Sequence, residues 1–263
     1  MAEFRTINDF DTFDILIEKV KNYKKGEKLY YNRFGDGCFI MMYPESLNQT
    51  IGKSNRFFVT EKFRKELRDS YNIEDDNYMV ASCFNLDSPQ STDANVSHPK
   101  ILQMIDDNIL VNRREFYSHP TFECNFMQRP EKFKEFFNLI YDKKKVWVNQ
   151  FWHDNIEKII GNVEHHVQTP SINSYSNIDE WYPELLETLD DVEVVILASG
   201  QSSRILCGRL WNAGVNKLVI DIGSVADMFI SDTWIFDKIN LRSTMRVEYD
   251  TIRKSLEYML NEK

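Results

Sequence analysis

The sequence of 263 residues is poor in the residue types that interrupt or cross-link a chain. It contains 9 glycines, 7 prolines and 4 cysteines, and it has no internal repeat or low-complexity tract. The cysteines stand far apart, at positions 38, 83, 124 and 207, without a C-x-x-C pair. This spacing argues against a small disulfide-linked secreted scaffold and favours reduced thiols in a cytoplasmic protein.

Positive charge and long apolar runs are also scarce. Lys and Arg number 32 against 41 Asp and Glu, which gives a formal charge of −9. The deficit argues against general nucleic-acid binding, whose affinity depends on cations that neutralise phosphates, but a local basic pocket can still hold one nucleotide. We expect no transmembrane segment, since no run of 18 apolar residues occurs. We expect no signal peptide, because the first residues lack a basic-then-apolar pattern.

What the chain does contain is material for a large core. Apolar residues make up 42% and aromatic residues 13%, which is typical of a globular chain rather than a disordered one. Short apolar runs alternate with amphipathic stretches. The periodicity predicts helices over 7–23, 61–71, 99–110, 130–141, 154–160, 176–189 and 204–212. It predicts strands over 28–33, 78–84, 145–149, 165–168, 192–198 and 217–221.

The clearest unit is the last one, which reads strand, turn, helix, strand over 192–221. Strands as apolar as these belong inside a parallel sheet that is covered on both faces. Five or six such strands with helices between them make a doubly wound, Rossmann-like α/β fold, with a mostly parallel sheet and helices on both faces. We predict this fold class.

Ligands of such sheets bind beyond the carboxyl ends of the strands, and the first loop of interest lies at such an end. Gly35 and Gly37 bracket Asp36, so the backbone can take positive φ and approach a ligand closely. Asp36 can hold a metal ion or act as a base, and Arg33 can bind a phosphate. The alternative is an ordinary tight turn, in which Asp and Gly are common for conformational reasons.

Two further loops follow the strands of the last unit. Residues 199–203 lie between a strand and a helix, where backbone N–H groups form an anion site, although neither a Walker loop nor G-x-G-x-x-G is present. The alternative there is a simple Ser N-cap. Asp221, at the end of the next strand, can bind a ribose or sugar hydroxyl or cap a helix. In the loop 169–175, Asn173 and Tyr175 are candidates for contact with a base or ribose.

Other chemistries lack their patterns. The histidines show no zinc-ligand spacing, so we expect structural or surface roles for them, His119 included. No G-x-S-x-G elbow indicates an α/β-hydrolase, and no cysteine stands in an electropositive setting. The polar stretch 86–99 is a candidate lid.

The loops together resemble a known family. Arg33-Phe34-Gly35-Asp36-Gly37 is similar to the R-F-G-D-G-E signature of the GT-D type glycosyltransferases, long catalogued as a domain of unknown function. Further stretches resemble the family's motifs in the same order. Tyr117-Ser118-His119-Pro120 resembles the S-R-P-Y region, and residues 170–175 resemble the P-x-x-N-A-[FY] loop. Residues 197–206 resemble the L-G-P-T-A-K-V-L turn, and residues 220–224 resemble the closing D-I-G-H motif.

The resemblance implies a glycosyltransferase that moves a sugar from a nucleotide-diphosphate donor, a UDP-sugar first, to a glycan or glycoprotein acceptor, as in polysaccharide biosynthesis. It implies a single domain over 1–263, with an N-terminal helix (1–25), a core (28–235) and a C-terminal helical extension (236–263). The expected catalytic residues are Asp36 and Asp221. The expected donor-binding residues are Arg33, Gly35, Gly37, Asn173, Ser174, Gly200, Gln201, Ser202 and Ser224.

The family's D-x-E acids imply a divalent metal, Mn²⁺ or Mg²⁺, at Asp36. Cys38 stands where the family has Glu, and a neutral thiol is a poor ligand for Mg²⁺; Ser224 likewise replaces a His. Three outcomes stay open: a metal held by Asp36 and the phosphates alone, a metal-independent enzyme, or a lost activity. The alternative functions are a non-catalytic nucleotide-sugar-binding protein and an S-adenosylmethionine-dependent methyltransferase.

Overall fold

The computed structural model describes residues 5–51, 57–82, 98–113, 115–171, 174–230 and 249–261. The strands are β1 (Arg5–Thr6), β2 (Leu29–Phe34), β3 (Thr50–Ile51), β4 (Phe57–Phe58), β5 (Tyr78–Ser82), β6 (Glu115–Ser118), β7 (Lys145–Asn149), β8 (Val163–Gln168), β9 (Val194–Leu197) and β10 (Leu218–Asp221). The α-helices are α1 (Asp9–Asn22), α2 (Asp36–Met42), α3 (Glu61–Tyr71), α4 (His98–Asp106), α5 (Thr121–Gln128), α6 (Pro130–Asn138), α7 (Asp154–Ile160), α8 (Ile178–Thr188), α9 (Gln201–Asn212) and α10 (Tyr249–Asn261). Short 3₁₀ helices lie at Pro44–Ser46, Leu189–Asp191 and Gly223–Phe229.

Eight strands form one sheet in the order β1-β6-β5-β2-β10-β9-β7-β8, and every pairing within it is parallel. Every residue of β2, β5, β7, β9 and β10 is buried. Burial on both faces explains why these strands carry continuous apolar runs rather than alternating ones. The predicted doubly wound, Rossmann-like α/β fold is confirmed.

The helices form two layers, one on each face of the sheet. Helices α2, α3, α4, α8 and α9 pack on what we call the α9 face. Helices α1, α5, α6, α7 and α10 pack on the opposite side, the α5 face. Among the described residues, no helix is both long and apolar enough to cross a membrane.

Local sequence explains the helices that were predicted with the right bounds. In α3, Phe63 and Leu67 lie four residues apart and are buried, while the Thr60 hydroxyl accepts from the Phe63 N–H at 3.1 Å as an N-cap. The bounds of α3, β7 and α7 match the prediction. The predicted helix 204–212 begins earlier, at Gln201, so the loop before it is shorter than expected.

The elements predicted from the sequence included neither β6 nor α5. Residues 115–118 form a short strand in which Phe116 alone is buried, so its pattern does not stand out from a loop. Helix α5 contains Glu123 and Asn125, both buried, and these polar residues hide its apolar periodicity. The predicted strand residues 83–84 and nearly all of the candidate lid lie outside the described residues.

The strand order defines a switch point between the carboxyl ends of β2 and β10, and we call this edge of the sheet the crevice. After β2 the chain enters α2, on the α9 face, whereas after β10 it enters the 3₁₀ helix Gly223–Phe229, on the α5 face. Neighbouring parallel strands whose connections leave toward opposite faces mark the switch point at which such sheets bind ligands.

Candidate functional site

The first loop of the crevice is a helix start and not a free turn. Gly35 is the N-cap of α2, with φ −79°, and Asp36 is the first helical residue. Neither Gly35 nor Gly37 has positive φ, so that expectation was wrong. Packing favours glycine at position 35 instead, because a Cβ there would lie 2.9 Å from Nε2 of His119 and the imidazole ring would have to shift.

Asp36 stands exposed at the rim of the crevice. One of its carboxylate oxygens, Oδ1, accepts from the Gly37 N–H at 2.8 Å. This places the carboxylate at the N-terminus of α2, where a negative charge is favoured. Of the two acids expected to be catalytic, Asp36 is the one that solvent reaches.

The second loop meets the first through a pair of side chains. Gly200, which is exposed, has φ 64° and ψ −134°, a conformation open essentially to glycine alone. Helix α9 begins directly after it, and the Cys38 thiol donates to Oε1 of Gln201 at 2.8 Å. The predicted anion site at the start of α9 therefore lies beside α2.

Serines build the floor of this second loop. The Ser174 and Ser202 hydroxyls lie 2.6 Å apart, and the Ser203 hydroxyl accepts from the Ser199 N–H at 2.8 Å. All four are buried, so Ser174 and Ser202 support the loop from beneath. Asn173, expected to bind the donor, lies outside the described residues.

A buried ion pair joins β2 to the third loop. The Arg33 guanidinium is 1% exposed, and its Nη2 donates to Oε1 of Glu123 at 2.6 Å. Arg33 also donates to the Ile222 carbonyl. The same Glu123 oxygen accepts from the Ser224 hydroxyl at 2.8 Å. Arg33 was expected to bind a phosphate of the donor, but it is buried beneath the crevice, where these partners hold it.

A second pair lies alongside the first. Arg204 of α9 donates through Nε to the Arg33 carbonyl at 2.6 Å and also to the Gly200 carbonyl. Its Nη1 lies 3.4 Å from Oδ2 of Asp221, while Oδ1 of Asp221 accepts from the Gly223 N–H at 3.1 Å. Asp221 is 0% exposed, so in this conformation it touches protein atoms alone. We call Arg33, Glu123, Arg204 and Asp221 together the charged layer.

Burial and the charged layer set the protonation of the neighbouring groups. Burial raises the pKa of the Cys38 thiol to about 11, against the lowering effect of Arg204. Burial, then Arg33 and Arg204, hold the pKa of His119 well below its ordinary value. Near neutral pH the site therefore presents a thiol and a neutral imidazole. Burial also raises the pKa of Asp221, against the opposing effects of Arg204 and Arg33.

The surface of the crevice is set by the residues that stay accessible. Asp36, Gly200 and Ser224 are exposed, and Gly37, Gln201 and His119 are partly buried. Sequence reasoning gave His119 a structural or surface role and did not single out Glu123. The resemblance of 117–120 to a family motif was the signal for His119, whereas Glu123 had none, since α5 itself was not predicted.

The side chains present do not form a metal centre on their own. Across the described part of the chain, no group of three or more His, Cys, Asp or Glu residues is arranged to hold an ion. Cys38, which stands where a second acid would be needed, is a buried neutral thiol whose hydrogen goes to Gln201. Asp36 alone supplies too few oxygen ligands for Mg²⁺ or Mn²⁺.

The parallel sheet with helices on both faces places the chain among the doubly wound α/β proteins. No family model matches the chain, and no curated protein does either. Solved structures do match it in fold. One, described as a new glycosyltransferase (DUF1792) from Streptococcus sanguinis, has a TM-score of 0.60 and 16% identity, over 97% of this chain and 94% of that one.

Two further solved structures agree. One is described as the highly conserved domain of unknown function 1792 with a distinct glycosyltransferase fold; it has a TM-score of 0.58 and 15% identity, over 97% of this chain and 91% of that one. A selenomethionine-substituted structure of the same domain has a TM-score of 0.58 and 16% identity, over 94% of this chain and 85% of that one. The resemblance noted from the sequence motifs is confirmed at the level of the fold.

Proposed function

We propose that this chain is a glycosyltransferase that moves a sugar from a nucleoside-diphosphate donor to a hydroxyl of a glycan or glycoprotein. The observation that carries the proposal is the meeting of three polar loops at the crevice between β2 and β10, with Asp36 and Ser224 accessible there. Similarity in fold to structures described as glycosyltransferases supports it.

Departure of a nucleoside diphosphate requires that its developing negative charge be stabilised. Helix α9 begins at the crevice, and the first N–H groups of a helix lack the partners that later ones have within the helix. In α9 the Ser203 N–H donates to the Gly200 carbonyl at 3.2 Å, so the anion site would be formed by the N–H groups that precede it. Gly200 brings the backbone close without a side chain in the way. Arg33 and Arg204 lie directly beneath, at 1% and 7% exposure, but Glu123 and Asp221 pair with them. The charge on the diphosphate is therefore stabilised chiefly by the N–H groups at the start of α9.

The acceptor hydroxyl needs a base as it attacks the anomeric carbon. Its oxygen forms the new glycosidic bond, the bond from the anomeric carbon to the diphosphate oxygen breaks with its electron pair going to the diphosphate, and the hydroxyl proton goes to Asp36. We assign this role to Asp36 and not to Asp221, because Asp221 is fully buried. No step in this scheme requires a metal ion.

The proposal is tested by incubating the protein with UDP-, GDP- and TDP-sugars, each with Mn²⁺ and with EDTA, and by measuring binding and donor hydrolysis. CMP-sugars, which carry a nucleoside monophosphate, are included for comparison, and binding of these alone would contradict the proposal. We expect one nucleotide class to bind and to be hydrolysed slowly. We expect Asp36→Asn to lower turnover by about 100-fold or more with donor affinity retained. Asp69→Asn, at an exposed acid that pairs with Lys65 in α3, is the matched control. If the protein bound none of these donors, the proposal would be wrong.

A second candidate is a non-catalytic nucleotide-sugar-binding protein, and the buried thiol at Cys38 is the observation that favours it. If Cys38→Glu created metal-dependent turnover where the wild-type protein has none, this second candidate would be favoured. Full wild-type turnover would exclude it. The methyltransferase alternative is excluded if calorimetry detects no S-adenosylmethionine binding.

A further inference from the structure

Glu123 links the two walls of the crevice with one oxygen atom. Its Oε1 accepts from Nη2 of Arg33, at the end of β2, and from the hydroxyl of Ser224, in the segment after β10. Glu123 comes from neither wall, since it lies in α5 on the other side of the third loop. A change at Glu123 therefore reaches the accessible surface through Ser224.

The bond to Glu123 fixes what Ser224 can offer a ligand. A serine hydroxyl has one hydrogen to donate and two lone pairs that accept. A carboxylate in an ion pair can only accept, so the Ser224 hydrogen points to Glu123 and its lone pairs are left for the crevice. Glu123 is 7% exposed, and this shielding from water strengthens the bond that holds the hydroxyl in place.

We propose that Glu123 is a positioning residue that makes Ser224 an acceptor, so that Ser224 binds a hydroxyl group of the donor, on its ribose or on its sugar, and not a phosphate oxygen. Two acceptors cannot share a hydrogen bond, so a phosphate oxygen gains nothing from Ser224 in this state. This inference rests on the proposed function, and it names the part of the donor that Ser224 recognises.

The test measures the affinity of UDP-glucose, UDP and inorganic pyrophosphate by calorimetry for four proteins: wild type, Ser224→Ala, Glu123→Gln and the double variant. GDP-mannose and GDP replace the uridine probes if the wild type binds only guanosine donors. We expect Ser224→Ala to weaken UDP-glucose binding about fivefold and to leave pyrophosphate binding unchanged. If UDP also binds more weakly to Ser224→Ala, the contact is with the ribose. If only UDP-glucose binds more weakly, the contact is with the sugar.

The double variant separates positioning from general support of the fold. Glu123→Gln keeps the shape of the side chain, but its amide N–H can donate to the Ser224 hydroxyl. The serine hydrogen is then free, and Ser224 no longer favours a hydroxyl group of the donor over a phosphate oxygen. Glu123→Gln also removes the charge that pairs with Arg33, and pyrophosphate binding reports this separate effect. If Glu123 acts through Ser224, the part of its effect on UDP-glucose affinity that pyrophosphate does not share disappears in the Ser224→Ala background. Additive effects, or weaker pyrophosphate binding by Ser224→Ala, would overturn the inference. Ser224 is exposed, so Ser224→Ala should fold even if Glu123→Gln does not, and it still tests the contact with a donor hydroxyl. In that case Glu123→Asp, which keeps the charge that pairs with Arg33 but shortens the side chain, replaces Glu123→Gln in the double-variant comparison. If the wild type binds none of the donors, the proposed function has failed instead.

Discussion

At the scale of single residues, the glycines of the site have different reasons to be glycine. Gly200 has a backbone conformation that other residues rarely adopt. Gly37 is helical, and a Cβ added there would lie 3.5 Å from Nε2 of Gln201, which is an ordinary contact distance. The two glycines of the G-D-G sequence therefore do not indicate a backbone conformation that only glycine can adopt.

We expect Gly200→Ala to lower the free energy of unfolding by about 1–3 kcal/mol, since alanine must adopt a strained conformation there. Gly37→Ala is the matched control and should leave stability unchanged or raise it by about 0.4–1 kcal/mol, because its backbone suits alanine. Urea unfolding measures both. Equal losses in the two variants would contradict the assignment.

The buried thiols also make a prediction at this scale. Burial raises the pKa of Cys38 to about 11 and that of Cys207 well above its ordinary value. Since the thiolate is the reactive form, iodoacetamide at pH 7.5 should alkylate both far more slowly in the native protein than in urea. Mass spectrometry of digested samples reads out each site. Rapid native alkylation of Cys38 would show that the thiol is accessible and acidic.

At the scale of elements, the position of α5 depends on an aromatic cluster. The Phe122 ring lies 5.4 Å from those of Phe13 and Phe136, edge to face in both cases. This packing anchors α5 against α1 and α6 one residue away from Glu123. Glu123, the member of the charged layer that α5 supplies, is therefore held by packing that lies outside the crevice.

We expect Phe122→Ala to cost about 3–5 kcal/mol of unfolding free energy, because it removes a fully buried ring. Phe122→Leu fills more of the space and should cost clearly less. Thermal and urea unfolding measure the loss, and donor binding by the folded fraction reports whether Glu123 has moved. A cost below about 1 kcal/mol for the alanine variant would mean that the cluster does not hold α5.

At the scale of the whole molecule, the sequence predicted the sheet better than the site. The strand 194–197 and the helix after it are recognisable locally, since a continuous apolar run and a periodic one lie side by side. Arg33 and Glu123 lie 90 positions apart in the chain, and Glu123 lies in a helix that contains buried polar residues. No local sequence pattern therefore contains both partners of this ion pair. Motif order indicated which loops meet, but not which of their side chains turn inward.

One buried cation should shape how the stability of the molecule depends on pH. The Lys145 side chain is 0% exposed, and its Nζ donates to the carbonyls of Tyr141 and Lys143 at 2.9 and 2.6 Å. Burial lowers its pKa to about 8, whereas an unfolded lysine has a pKa of about 10.4. Between these values the unfolded chain holds a proton that the folded chain has lost. The contribution of Lys145 to the free energy of unfolding therefore rises with pH across this window, by up to about 3 kcal/mol.

Buried thiols and tyrosines act in the opposite direction. Burial raises the pKa values of Cys38 and Cys207 and of Tyr31 and Tyr78 above their ordinary values near 8.5 and 10. The unfolded chain therefore loses protons that the folded chain keeps, and these groups lower stability as the pH rises. For this reason the effect of Lys145 is measured as a difference between the wild type and Lys145→Met, since both contain the same thiols and tyrosines. Urea unfolding from pH 7 to 11 should show that the free energy of unfolding of the wild type gains on that of Lys145→Met from about pH 8 to pH 10. A difference that stays constant across this range would show that the carbonyls around Lys145 keep its ammonium charged.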